Sequence, residues 1–260
     1  MASTRGRTHP AVRGFDRLAK AYERGRPGYP VAAVRHLGRV LRLGPGSTVV
    51  DLGSGTGKFT RALASLGAAR VAVEPTPGMR RVFAEVVREV PALDGTAEKI
   101  PLPDGFADAI VCAQAFHWFH ARRALREFAR VLRPGGGVGL VWNTRDETGS
   151  WSRRINEIAD RYHRKERSDA RWDSWKEAFT DPRSPFGPLH ERVFPNAQRA
   201  RPATFVDRFL SVSSIAVQSA AERRRIAREI RTILRTDPRT RGRRVITQPM
   251  STEVYWAFVR

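Results

Sequence analysis

Apolar and polar positions change register repeatedly over the first 145 residues. Short apolar runs at 48–52, 70–74, 107–113 and 137–143, with a weaker one near 92–96, read as strands; 31–42, 58–67, 77–90 and 121–132 read as helices. Turn-forming clusters separate them: Pro45-Gly46, Pro75-Thr76-Pro77-Gly78, Pro101-Leu102-Pro103-Asp104-Gly105 and Pro134-Gly135-Gly136-Gly137. Strands alternating with helices predict βαβ units and an α/β fold, a mostly parallel sheet with helices on both faces.

The pattern changes after residue 145. Trp151, Tyr162, Trp172, Trp175 and Phe179 mix with many charges, and the proline-rich run Asp181–Pro188 closes the segment. It reads as a helical insertion over the carboxyl edge of the sheet. Beyond it, 192–206 and 245–259 are expected to add two strands flanking an arginine-rich helix. Val254–Val259 has the β-branched and aromatic content of a strand. The expected organisation is a lid and nucleotide-type core over 1–145, a cap over 146–189, and completion of a seven-stranded sheet over 190–260.

The stretch Thr48-Val49-Val50-Asp51-Leu52-Gly53-Ser54-Gly55-Thr56-Gly57-Lys58 carries the chemistry. An apolar strand ends in an acid and opens into three glycines at alternate positions, bare enough for a ligand to lie against the backbone. A phosphate-binding P-loop would need Gly at position 52 and a hydroxyl at 59; the chain has Leu52 and Phe59. Neither Gly53 nor Gly55 starts a G-x-G-x-x-G dinucleotide fingerprint. Phosphate cradling is the poorer reading. A second acid, Glu74, ends the next apolar run, where in nucleoside-binding α/β folds a carboxylate accepts from two ribose hydroxyls.

The D-x-G-x-G-x-G turn followed by Glu74 resembles the first two motifs of class I S-adenosylmethionine (SAM) methyltransferases. Three more segments are similar to the type 11 group of that family: Asp94–Pro103 after the third strand, Asp108–Phe119 over the fourth strand and its loop, and Arg130–Gly136 before the fifth. Phe15–Pro30 looks like the lid of the trans-aconitate-methyltransferase-like branch. The resemblance covers roughly residues 15–145 and implies a Rossmann-like seven-stranded sheet that binds SAM and releases S-adenosylhomocysteine. It implies that Asp51, Gly53, Ser54, Gly55, Gly57 and Glu74 hold the cofactor. By the same match Pro75, Met79, Thr96, Ala97 and Glu98 surround the adenine, Gln114 and Ala115 also contact the cofactor, and Tyr22 and Arg26 face its methionine end.

A sulfonium methyl is already activated, so the protein must align a nucleophile and exclude water. A carboxylate acceptor needs no base, whereas a hydroxyl or ammonium gains from one. His117 is the candidate catalytic base; a structural role beside Trp118 and a substrate contact without proton transfer stay open. Trp118, Trp142, Asn143 and Arg145 are the other candidate substrate contacts. Cys112 lies inside an apolar strand and reads as inert core. No metal is expected. The expected reaction is methylation of a small biosynthetic metabolite, at a carboxylate or hydroxyl first. An RNA-directed methyltransferase and a SAM-binding protein without transferase activity are the alternatives.

Composition adjusts this picture little. The hydrophobic share of 41% suits a globular domain, no apolar run is long enough to span a bilayer, and Met1–Gly14 lacks the apolar core of a secretory signal. One cysteine fits a reducing compartment, so a cytoplasmic location is expected, as monomer or homodimer. The net charge of +21 comes almost entirely from arginine, since lysines number only five. The densest block runs from Arg223 to Arg244, where Ile226, Ile230, Ile233 and Leu234 recur at helical spacing. A solvated basic helix face is the favoured reading there, ahead of a nucleic-acid surface.

Overall fold

The computed structural model describes residues 10–145, 150–163 and 175–260, with the side chains of 10–17, 145, 150 and 163 excepted. In chain order the elements are α1 (Pro10–Gly25), α2 (Val31–Val40), β1 (Thr48–Leu52), α3 (Lys58–Leu63), β2 (Ala69–Val73), α4 (Pro77–Val86), β3 (Ala92–Leu93), β4 (Ala107–Ala113), α5 (Ala121–Val131) and β5 (Leu132–Arg145). There follow α6 (Ser150–His163), α7 (Glu177–Thr180), β6 (His190–Ala200), α8 (Pro202–Leu210), α9 (Ser213–Ala216), α10 (Ala220–Thr236) and β7 (Ile246–Phe258).

The seven strands form one sheet in the order β3-β2-β1-β4-β5-β7-β6, so the expected α/β architecture holds. β1 pairs in parallel with β2 on one side and β4 on the other, which makes its carboxyl end the topological switch point. β5 runs parallel to β4, and β7 antiparallel to β5. Four of the five residues of β1 are buried, as a strand covered on both faces requires.

The chain divides into two compact units: a sheet unit within 27–146, 169–198 and 249–260, and a helical unit within 1–26, 147–168 and 199–248. The sheet unit packs Val50, Ile110, Leu140 and Phe128 in one core, joined by Trp175, Phe179 and Phe186, and Leu37, Val49 and Val111 in another. The helical unit buries Trp151, Ile155 and Ile158 of α6 with Phe205 and Phe209 of α8 and Ile226, Ile230 and Ile233 of α10. The tryptophans of the aromatic stretch therefore divide: Trp151 serves the helical core and Trp175 the sheet core. Trp172 lies outside the described residues.

Several boundaries differ from the sequence expectation. The strand expected over 192–206 ends at Ala200, because Arg201 is extended and Pro202 takes the first position of α8, where its missing N–H costs nothing. The weak strand near 92–96 shortens to Ala92–Leu93, and the helix from Pro77 stops at Val86. α10 begins where Ser219 Oγ accepts from the Glu222 amide, an N-cap the sequence Ser219-Ala220-Ala221-Glu222 encodes locally. Among the described residues no helix is long and apolar enough to cross a membrane.

Candidate functional site

The parallel strands β1, β2, β4 and β5 bring Asp51, Glu74, Gln114 and Trp142 to one edge of the sheet. The glycine turn at the end of β1 is left-handed at Gly53 (φ 68°), Gly55 (φ 57°) and Gly57 (φ 82°), which side-chain-bearing residues rarely adopt. Gly53 is also sterically committed, since a Cβ there would lie 2.7 Å from the Cβ of Ala115. The turn is thereby pressed against the loop after β4.

The amides of this turn are used inside the protein. Gly53 and Ser54 both donate to Val73 O, at 2.8 and 3.2 Å, and Gly57 donates to Ser54 O. Gly55 N donates to Glu74 Oε2 at 2.9 Å, and Thr76 N donates to Glu74 Oε1 at 2.8 Å. A phosphate cradle needs such amides aimed at the ligand, so the phosphate reading loses its donors here. Glu74 is 6% exposed, and burial pushes its carboxyl up, partly opposed by these two hydrogen bonds. Each oxygen keeps a second lone pair for a hydroxyl donor. Arg80 Nη1 donates to Glu74 O at 2.6 Å and to Asp94 Oδ1 at 2.9 Å, which ties the end of β2 to the loop after β3.

Asp51 is 1% exposed. Its Oδ2 accepts from Thr60 Oγ1, but among the described residues Oδ1 is buried without a hydrogen-bond partner, as is Ser54 Oγ. Burial pushes the Asp51 carboxyl up to about 7. A buried carboxylate oxygen and a hydroxyl left unmatched beside the glycine turn are what a cationic, hydrogen-bonding ligand would complete. The residues thus fit SAM, whose amino acid end carries an ammonium and whose ribose carries two hydroxyls for Glu74.

The adenine candidates sit in a short loop. Thr96 and Lys99 exchange backbone hydrogen bonds at 3.3 and 3.2 Å, with Ala97 buried between them. Glu98 Oε1 accepts from His120 N at 2.9 Å. Met79 is buried on α4 and Pro75 half-buried just before it. Gln114 has φ 58°, a strained conformation for a residue with a side chain; its amide donates to Val141 O and its Nε2 to Asn143 O at 3.1 Å.

His117 sits in a single 3-10 turn, Phe116–Trp118, and is buried. Trp142 Nε1 donates to His117 Nδ1 at 3.1 Å. An indole N–H can only donate, so Nδ1 accepts and the neutral ring carries its proton on Nε2. Trp142 stacks on Trp175 at 4.8 Å, and both meet Tyr255 edge-on. Trp118 packs beside the imidazole at 4.9 Å. The sequence offered no signal for the Trp142–His117 bond or for the part played by Tyr255.

Asn143 is spent on structure: Nδ2 donates to Gly28 O, while Oδ1 accepts from Asn196 Nδ2 at 3.0 Å and Thr252 Oγ1 at 2.6 Å. Arg145 ends β5 opposite Met250, its side chain outside the described residues. Tyr22 and Arg26 belong to the helical unit, where the Arg26 guanidinium lies 4.9 Å above the Tyr22 ring and Nη2 donates to Ser211 O at 3.0 Å. Cys112 is fully buried, and burial holds its thiol well above the usual range, consistent with inert core.

The profile of the Methyltransf_11 methyltransferase domain matches residues 50–139. An uncharacterized methyltransferase of Mycobacterium tuberculosis is 49% identical over 147 residues, 56% of this chain. The aligned stretch spans only 59% of that relative's length. An uncharacterized methyltransferase-like protein of Schizosaccharomyces pombe is 35% identical over 222 residues, covering 85% of this chain and 86% of that one. Among solved structures, a protein of Anaeromyxobacter dehalogenans described as a type II methyltransferase superposes with a TM-score of 0.59 at 26% identity, over 90% of this chain and 97% of that one. With its glycine turn, the two strand-end acids and this kinship, the chain belongs to the class I SAM-dependent methyltransferase family.

Proposed function

We propose that this protein transfers a methyl group from SAM to a small-molecule acceptor, with an acceptor carboxylate ahead of a hydroxyl. SAM, when bound, supplies a methyl group already activated on a sulfonium. Asp51, Ser54 and the turn Gly53–Gly57 bind its amino acid portion, Glu74 its ribose, and Pro75, Met79 and Thr96–Glu98 its adenine. Gln114 and Ala115 border it from β4. S-adenosylhomocysteine leaves as the product.

One observation carries the acceptor class: Trp142 occupies His117 Nδ1. The Nε2 position then bears the proton, so the imidazole presents a donor and not a base. A hydroxyl acceptor would want a base to take its proton, whereas a carboxylate is a competent nucleophile as it stands. His117 therefore orients an acceptor oxygen by donating to it, and Trp118 and Trp142 supply an apolar wall that excludes water. Asn143 supports this wall through Gly28, Asn196 and Thr252 and is a positioning residue; Arg145 stays a candidate partner for an acceptor's charge. The single buried thiol supports a cytoplasmic setting.

The test is transfer of labelled methyl from SAM into the small-molecule fraction of a cell extract. The reading expects label in that fraction, released as volatile methanol by mild alkali, as a methyl ester requires. Alkali-stable label would point to an ether or amine and overturn the carboxylate assignment. Label confined to RNA would overturn the small-molecule reading.

A further inference from the structure

The exposed face of α10 is one continuous cationic stripe. Arg224, Arg228, Arg231 and Arg235 follow at intervals of four, three and four residues, and all are exposed. At about 100° per residue they fall within roughly 60° of one another, along about 16 Å of helix axis. Arg224, Arg228 and Arg231 make no hydrogen bond or ion pair among the described residues, and Arg235 reaches only Thr232 Oγ1, at 3.4 Å. Exposed Arg239, Arg241, Arg243 and Arg244 extend the charge past the helix end.

Among the described residues, the nearby acids do not neutralise it. Glu222 is taken by Arg225 and Tyr162, Glu229 by Arg161, and Asp237 is buried and caps the Arg239 amide. Like charges at these spacings destabilise a helix, so the stripe works against local stability. The opposite face of α10, Ile226, Ala227, Ile230, Ile233 and Leu234, is buried in the unit's own core. The helix thus has no apolar face to offer a bilayer, which an interfacial helix needs. The stripe also lacks the aromatic or aliphatic anchor that a protein partner would bury.

We infer that this face docks the phosphate backbone of double-stranded RNA. Guanidinium groups pair with phosphate oxygens in a bidentate fork, and a row of them along a straight helix suits a polyanion of regular charge spacing. No aromatic side chain of α10 interleaves with the arginines as a stacking platform, which disfavours a single strand. With its other face embedded, α10 cannot enter the major groove of DNA, whereas the shallow minor groove of an A-form duplex is open to a flat surface. Exposed Thr232 borders the stripe, a hydroxyl able to meet a 2′-hydroxyl. This surface lies in the helical unit and does not depend on the proposed methyl transfer.

The experiment is fluorescence anisotropy of the full chain with a labelled RNA duplex of about 16 bp, titrated between about 50 and 200 mM salt. The inference expects log K to fall against log salt with a slope of about −3 or steeper. The variant Arg224→Gln/Arg228→Gln/Arg231→Gln/Arg235→Gln should bind at least about ten-fold more weakly with a shallower slope. Its thermal melt should be unchanged or raised, since like-charge contacts are removed. Absence of binding, a variant that binds like the wild type, or equally tight binding of a DNA duplex of the same sequence would each overturn it.

Discussion

The carboxylate of Glu74 closes on the backbone amide of Gly55 at 2.9 Å and, through its other oxygen, on the amide of Thr76 at 2.8 Å. One side chain thus locks the glycine turn after β1 to the end of β2 while keeping lone pairs for a ligand. Glu74→Ala leaves two amide donors unmatched, and should destabilise the unliganded protein by about 2–4 kcal/mol. Glu74→Gln, which keeps one acceptor oxygen, should lose roughly half as much. Chemical denaturation of both variants without SAM checks this, and equal, negligible losses would show that the latch contributes nothing.

Asp51 gives stability a pH dependence of unusual sign. Its folded carboxyl titrates near 7 against an ordinary value of 3.8, with burial as the main cause. The folded state therefore holds the proton more tightly. Its contribution is fully present below about pH 4 and is lost as pH rises through 7. Asp51→Asn should flatten the decline in stability between those limits. A SAM ammonium paired with the carboxylate would drive that proton out, so calorimetry near pH 6 in buffers of different ionisation enthalpy should detect proton release, absent in the variant.

His36 works in the other direction. It is 7% exposed, both ring nitrogens lack hydrogen-bond partners among the described residues, and the ring packs between Phe194 at 5.3 Å and Trp256 at 5.0 Å. Burial first, then the charges of Arg192 and Arg39, push its titration below the ordinary 6.5. The neutral ring's contribution is present above about pH 6.5 and lost as pH falls through the depressed folded value. His36→Leu should remove that acid sensitivity, measured as the midpoint of urea unfolding at pH 5 against pH 8. An unchanged difference would contradict the assignment.

Trp142→Phe keeps the stack on Trp175 but deletes the N–H that reaches His117. We expect turnover to fall up to about ten-fold through lost positioning, with SAM affinity unaltered. In the wild type, imidazole nitrogen NMR should report a protonated Nε2 and an accepting Nδ1, with a mixture of tautomers in the variant. A wild-type rate that climbs with pH through the range where an ordinary histidine loses its proton would instead support a base.

What could be read in the sequence was local. The run Thr48–Leu52, the acid at its end and the alternate glycines announce a strand and a turn within ten residues, and the turn's positive φ values follow from that spacing. Pairings across the sheet were beyond reach. Trp142 meets His117 because the β4–β5 register sets Ala113 beside Val141, a relationship no short window contains. Asn143 looked like a substrate contact at a strand end, yet partners 115, 53 and 109 residues away consume its amide. The strand expected through 206 overran because its apolar residues continue into α8, and the decisive signal was Pro202 alone.

The most direct test is calorimetric titration of SAM into the wild-type protein and into Glu74→Ala, with folding of each verified by its thermal melt. The account predicts saturable one-site binding to the wild type and at least about ten-fold weaker binding to the variant, the loss of two charge-assisted hydrogen bonds to the ribose. Wild-type protein that gives no binding, or a folded variant that binds SAM as tightly, would contradict a cofactor site at the ends of β1 and β2.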